Sequence, residues 1–208
     1  MTRSLTLYTN PMSRGRIVRW MLEEIGTAYD VVLLDYTGAM KEPDYLAINP
    51  MGKVPALRHG DAVVTEVAAI CAYLADAFPD AGLAPPLPDR AAYYRWLFFA
   101  AGPLEAAVTN TALGAEFPPE RAATLGYGTL STTLDTLEAA IGDRDYIAGD
   151  RFSAADVYVG SHLGWGMMFG TIEARPTFQR YQSALQDRPA FHRAASLDDA
   201  AMPPRPAG

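Results

Sequence analysis

Along the first eighty residues the apolar positions switch between two periods, and each switch marks an element. Leu5-Thr6-Leu7-Tyr8 reads as a short strand, closed by the turn Thr9-Asn10-Pro11. From Ser13 the spacing becomes helical. Ile17, Trp20, Met21 and Ile25 recur on one side, Arg14, Arg16, Glu23 and Glu24 fall elsewhere, and Gly26 stands where a helix ends. Tyr29 to Leu34 is rich in strand formers, and a helix connects it to the first strand, which predicts a parallel pair. Lys41 to Ile48 predicts a short helix. Ala56-Leu57 and Ala62-Val63-Val64 predict two strands around the turn Arg58-His59-Gly60-Asp61. Glu66 to Phe78 then sets Val67, Ile70, Cys71, Leu74 and Phe78 along one face of a helix. The order β-α-β-α-β-β-α predicts a small α/β domain over residues 1–78.

Residues 79–88 hold four prolines and a glycine and read as a linker. No strand pattern follows. Residues 89–208 predict an all-α domain, with helices over Asp89–Leu113, Pro118–Ile141, Ser153–Ile172 and Pro176–Gln186 and a short one after Pro189. The sharpest start is Phe152-Ser153-Ala154-Ala155-Asp156-Val157. Ser153 caps, Asp156 reaches back to the Ser153 N–H, and Phe152 and Val157 occupy the two staple positions. That pattern makes Asp156 a residue of the fold. Met202 to Gly208 predicts a loose tail.

Composition narrows the partners. A net charge of −7, with no Lys/Arg run, disfavours a nucleic-acid backbone or an anionic membrane. The one cysteine, Cys71, falls on the apolar side of its helix, which excludes a disulfide framework and a cysteine metal site. His59, His162 and His192 stand apart, so no metal ligand set emerges. The chain shows neither a signal pattern at its start nor a long apolar run, which leads us to expect a cytoplasmic protein.

The stretch with most chemical content is Asn49-Pro50-Met51-Gly52-Lys53-Val54-Pro55-Ala56-Leu57. Pro55 forces Val54 out of helical geometry. A cis Val54–Pro55 bond would turn the Val54 N–H and C=O outward to a peptide-like ligand; an ordinary proline at a strand start is the other reading. Together with Glu66-Val67-Ala68-Ala69-Ile70-Cys71-Ala72-Tyr73-Leu74, this stretch resembles the cytosolic glutathione transferase superfamily. The resemblance implies a thioredoxin-like N-terminal domain, a helical C-terminal domain and a homodimer. It also implies a glutathione site on the first domain, no metal, and an apolar electrophile site between the domains.

Such a site has a definite physical task. A free thiol of pKa about 8.5 is mostly protonated at neutral pH, and lowering it by ~2 units takes about 2.7 kcal/mol of thiolate stabilisation. One hydroxyl donor and a helix N-terminus are of that order. Two patterns in the family supply the hydroxyl: a tyrosine at the end of the first strand, or a serine after it. Tyr8-Thr9-Asn10-Pro11-Met12-Ser13 resembles the Pro-x-Ser version, which makes Ser13 the sulfur partner and Tyr8 the runner-up, with Asn10 assisting. The bland reading of Ser13 is a helix cap. No cysteine lies near residues 10–13, so disulfide exchange through an enzyme cysteine is not expected.

By matching positions, the Val54 backbone before Pro55 pairs with the cysteinyl unit, and Glu66 meets the γ-glutamyl ammonium. Lys41 and Lys53 are candidates for the glycyl carboxylate. Val67 departs from the family's serine or threonine and leaves only its N–H to donate. The electrophile pocket falls to Tyr94, Phe98 and Trp165, although an aromatic helix face is more often core or subunit contact. The activity implied is thiolate attack on a small apolar electrophile, a detoxifying transferase reaction. A non-catalytic glutathione-binding or protein-interaction member is one alternative, and a dedicated isomerase, peroxidase or dehalogenase is another.

Overall fold

The computed structural model describes residues 4–203; the end of the expected loose tail, residues 204–208, lies outside the described residues. By their internal contacts the described residues divide into two units, one running through Ala81 and resuming at Asp187, the other spanning Gly82–Gln186.

The first unit is built on a sheet of β1 (Leu5–Thr9), β2 (Asp30–Leu33), β3 (Ala56–His59) and β4 (Ala62–Thr65), in the order β2-β1-β3-β4. β1 pairs parallel with β2 and antiparallel with β3, and β3 pairs antiparallel with β4. The parallel pair needs a crossover. Helix α1 (Gly15–Ile25) supplies it, ending on Gly26 in the left-handed conformation. On β1, Leu5, Leu7 and Thr9 are buried on one face, where α1 packs, while Thr6 and Tyr8 point to the other. Thr9 sits so close to α1 that a Cβ on Gly15 would lie 1.8 Å from its Oγ1, which reserves that helical position for glycine. The opposite face is covered by a 3-10 turn over Ala39–Lys41 and by α2 (Pro43–Leu46). There Leu34, Met40, Tyr45 and Ala56 form a buried cluster against which Tyr8 and Val54 pack. Helix α3 (Val67–Ala77) follows β4 and buries Val67, Ile70, Cys71, Leu74 and Ala75.

The second unit is all helical: α4 (Ala91–Phe99), α5 (Glu105–Ala112), α6 (Leu130–Ile141), α7 (Ala154–Phe169) and α8 (Pro176–Gln186). Two predicted helices differ from expectation. The long one over Asp89–Leu113 is interrupted by a π-helical segment, Ala100–Leu104, containing Pro103. Proline has no N–H to give the preceding turn, and the widened turn accommodates the missing bond. The helix predicted from Pro118 begins only at Leu130. Residues 119–124 form a 3-10 stretch, Gly128 takes a left-handed φ of 68°, and Thr129 restarts the helix, its Oγ accepting from Thr132 N–H at 3.0 Å.

The box at the start of α7 forms as its residues predict. Asp156, fully buried, accepts from Ser153 N–H (2.9 Å) and Ser153 Oγ (3.0 Å) with one oxygen. Its other oxygen accepts from Ile147 N–H (2.8 Å) and Tyr181 OH (2.7 Å).

The last helix, α9 (Pro189–Ala200), groups by its contacts with the first unit. Residues 89–208 read as one helical domain, yet α9 packs on α1 in the first unit. Charged pairs and buried apolar residues, among them Trp20, Ala190 and Ala194, line the contact. Arg16, Arg19, Glu23 and Glu24 of α1 meet Asp199, Asp198, Arg193 and Arg188 of the last segment at 2.6–3.2 Å. Arg188 grips Glu24 with two bonds of 2.7 Å, and Trp20 stands edge-on to Phe191. Among the described residues no helix is long and apolar enough to cross a membrane.

Candidate functional site

The loop from α2 into β3 is held rigidly by its own side chains. Asn49 Nδ2 (2.8 Å) and Tyr45 OH (2.5 Å) both donate to the Lys53 carbonyl, while Asn49 Oδ1 accepts from Met51 N–H at 3.1 Å. Burial pushes the Tyr45 phenol up to about 12, so it remains a donor at physiological pH. Gly52 has φ +57°, and a Cβ there would stand 2.7 Å from both Lys41 Nζ and the Met40 carbonyl. The Val54–Pro55 bond is cis. Val54 is half-buried, and no group among the described residues meets its N–H or C=O. A main-chain donor and acceptor are thus presented side by side on a braced loop. Asn49 opens the stretch singled out above, whereas Tyr45 had no part in it.

β4 leads directly into Glu66, which among the described residues is the one non-glycine with positive φ, at 67°. A side chain held there costs about 1–3 kcal/mol, and such residues cluster at ligand sites. Glu66 is exposed and stands at the N-cap of α3, whose start carries no side-chain cap. The first N–H groups of that helix, beginning with Val67, face an open end suited to an anion. The Val67 side chain itself is buried.

Ser13 lies one residue before the N-cap of α1 and is buried. Its Oγ accepts from Gly15 N–H at 2.9 Å and donates to the Asn10 carbonyl at 2.7 Å. The capping geometry is therefore present. The Asn10 oxygen also takes Ser13 N–H at 3.0 Å and keeps that partner if the hydroxyl proton turns away. The incoming Gly15 N–H polarises the hydroxyl and strengthens it as a donor. Tyr8 is half-buried on the face that carries Val54, its ring 5.8 Å from that of Tyr45, and no group among the described residues bonds its hydroxyl.

Asn10 and Lys41 both bond main-chain groups of their own unit. Asn10 gives its amide to the Leu34 carbonyl (2.8 Å) and its oxygen accepts from Met12 N–H (2.9 Å), which shapes the turn. Lys41 donates to the carbonyls of Gly52 (2.9 Å) and Met51 (3.3 Å). Lys53 is exposed, and its ammonium meets no acceptor among the described residues. In the helical unit Phe98 and Tyr94 are exposed on α4, with Tyr94 OH 3.3 Å from Arg90 Nη1, and Trp165 on α7 is half-buried.

The thioredoxin-like sheet is followed in the chain by an all-helical unit. The family model described as the glutathione S-transferase N-terminal domain matches residues 3–76, and that of the C-terminal domain matches residues 118–165. Glutathione S-transferase 3 of Zea mays is 31% identical over 218 residues, covering 96% of this chain and 97% of its own. Glutathione S-transferase GstA of Escherichia coli O157:H7 is 31% identical over 183 residues, covering 85% and 90%. Among solved structures, a glutathione transferase of Methylococcus capsulatus aligns with a TM-score of 0.76 at 30% identity, covering 94% of this chain and 99% of that one. A sphingomonad glutathione S-transferase complexed with glutathione has the same TM-score and identity, covering 93% and 98%. The chain belongs to the cytosolic glutathione transferase superfamily.

Proposed function

We propose that this protein is a glutathione transferase that binds the tripeptide along the Val54–Pro55 bend and stabilises its thiolate for attack on small apolar electrophiles. The observation that carries the reading is the half-buried Val54, whose main-chain donor and acceptor are both unmatched, on the same unit as the strained Glu66. An extended cysteinyl residue pairs with Val54 as a strand would. The γ-glutamyl ammonium goes to the Glu66 carboxylate and its carboxylate to the first amides of α3. Lys53 takes the glycyl carboxylate, and Lys41 contributes by holding the Gly52 carbonyl in place.

Ser13 donates to the sulfur. The thiol proton leaves to solvent, and a sulfur lone pair forms the C–S bond. In a substitution the leaving group departs with the electron pair of its broken bond; in an addition that pair moves onto the acceptor, which then takes a proton. Tyr8 is the second candidate for the sulfur, favoured by its unbonded hydroxyl. Tyr94, Phe98 and Trp165 supply apolar surface for the electrophile. We extend the reading to a cytoplasmic homodimer with a detoxifying role, which rests on the family and is checked by gel filtration and cell fractionation.

The test uses the intact chain on immobilised glutathione, followed by assay with an aromatic halide. Retention and conjugation together are expected. Retention without turnover on several electrophile classes would leave only a binding protein, and absence of retention would sink the reading.

A further inference from the structure

Two consecutive carboxylates on α9 meet two arginines one turn apart on α1, and the two pairs differ in what else they touch. Arg19 and Asp198 are both buried and joined at 2.8 Å. Arg19 also lies 3.4 Å from Tyr29 OH, whose other partner is Glu23 at 2.8 Å, so its contacts stay within the α1–α9 seam and the residues just after α1. Arg16 is different. Its Nη2 donates to Asp199 Oδ1 at 2.6 Å, while its Nη1 donates to the Pro11 carbonyl at 3.1 Å. Pro11 lies inside the turn Asn10-Pro11-Met12-Ser13, whose Asn10 carbonyl receives both the Ser13 amide and the Ser13 hydroxyl. Arg16 thus spans from the last helix of the unit to the turn that carries the proposed sulfur donor.

We propose that Arg16 is a positioning residue for the transferase reaction: its planar fork braces the Pro11 carbonyl against the Asp199 carboxylate and thereby sets where the Ser13 hydroxyl stands. This rests on the glutathione transferase reading above and deepens it. The fork geometry matters, because a guanidinium bridges two oxygens on different elements in one plane, which a lysine ammonium cannot reproduce. Asp199 is two-thirds exposed, so this pair contributes little to folding. Its consequence is placement, and a small displacement of a reacting group can cost as much as about 10²-fold in rate.

The experiment compares Arg16→Met, Arg16→Lys and Asp199→Asn in the full chain, with Arg193→Met as a control on the exposed Glu23 pair. The readouts are kcat and KM for glutathione with an aromatic halide, and the pH at which enzyme-bound glutathione develops its ultraviolet thiolate absorbance. R16M is expected to lower kcat about tenfold, to move the thiolate transition to higher pH, and to change the glutathione KM less than about threefold. R16K recovers only part of the loss, and D199N moves both readouts in the same direction by about threefold, a check that stands even if R16M folds poorly. R193M leaves the thiolate transition in place. A thiolate transition and kcat unmoved in both R16M and D199N, with a fall in melting temperature alone, would overturn this inference and leave the transferase reading intact. Absence of any thiolate signal in the unsubstituted protein would sink both.

Discussion

Replacing Ser13 by alanine separates its two jobs, because each removes a different bond. As a cap, Ser13 Oγ accepts from Gly15 N–H at 2.9 Å. Alanine leaves that amide among the unpaired donors at the helix start, at a cost of about 1 kcal/mol, or a fall of roughly 2–4 °C in melting temperature for a chain of this size. As a sulfur donor, the hydroxyl must first give up the Asn10 carbonyl at 2.7 Å, and that oxygen keeps the Ser13 amide at 3.0 Å. Breaking the bond costs about 1 kcal/mol, whereas a bond to an anionic sulfur returns about 1.5–3 kcal/mol. The net of about 0.5–2 kcal/mol corresponds to a rate loss of about 2- to 30-fold, centred near tenfold, and to an upward shift of about one unit in the bound thiol pKa. Stopped-flow conjugation and a pH titration of the thiolate absorbance read the second job; calorimetry reads the first. A protein that melts lower yet conjugates at an unchanged rate, with an unchanged thiol transition, would refute the donor role. The same loss appearing in Tyr8→Phe would transfer it to Tyr8.

The other expected outcomes follow from groups already described. Glu66→Gly relieves a positive φ worth about 1–3 kcal/mol and adds about 0.5–1 kcal/mol of chain entropy cost, so the melting temperature holds or rises. Titration calorimetry should meanwhile show glutathione affinity falling about tenfold with the lost charge-assisted bond; unchanged affinity would remove Glu66 from the site. Asp156→Ala strands Ile147 N–H, Ser153 N–H and Tyr181 OH, which at about 1–1.5 kcal/mol each gives about 3–5 kcal/mol and a drop of roughly 6–20 °C. A drop below about 3 °C would show that the node is dispensable. Burial pushes the Cys71 thiol well up, so it stays protonated in the folded protein. A thiol reagent at mildly alkaline pH should label Cys71 only as the chain unfolds, and rapid stoichiometric labelling of the native protein would contradict that environment.

Local chemistry is legible in the sequence, and long-range pairing is not. The strand at Leu5, the Gly26 stop and the Ser153–Asp156 box each depend on neighbours within a turn, so residue type and spacing suffice to read them. The bend at Val54-Pro55 was legible for the same reason, proline acting on the residue before it. The interruption of the long helix at Pro103 and the late start at Thr129 also had local signals, a proline and two nearby glycines, which helical periodicity masked. Residue type does not reveal that Asn10 also bonds Leu34 and Met12, or Lys41 the Met51 and Gly52 carbonyls. The association of α9 with α1 brings together complementary charges more than 160 positions apart in the chain. Nothing in either segment alone points to the other.

That association makes the helical unit an insertion, with the chain leaving the sheet-bearing unit at Ala81 and returning to it at Asp187. Dissecting the protein at the linker would therefore not release a self-sufficient N-terminal fragment. Such a fragment would surrender the carboxylate facing Arg19 and leave a guanidinium without its counterion, together with the uncovered edge of Trp20. A permuted chain, in which the last helix is fused ahead of the first strand, is the minimal piece with a prospect of folding alone.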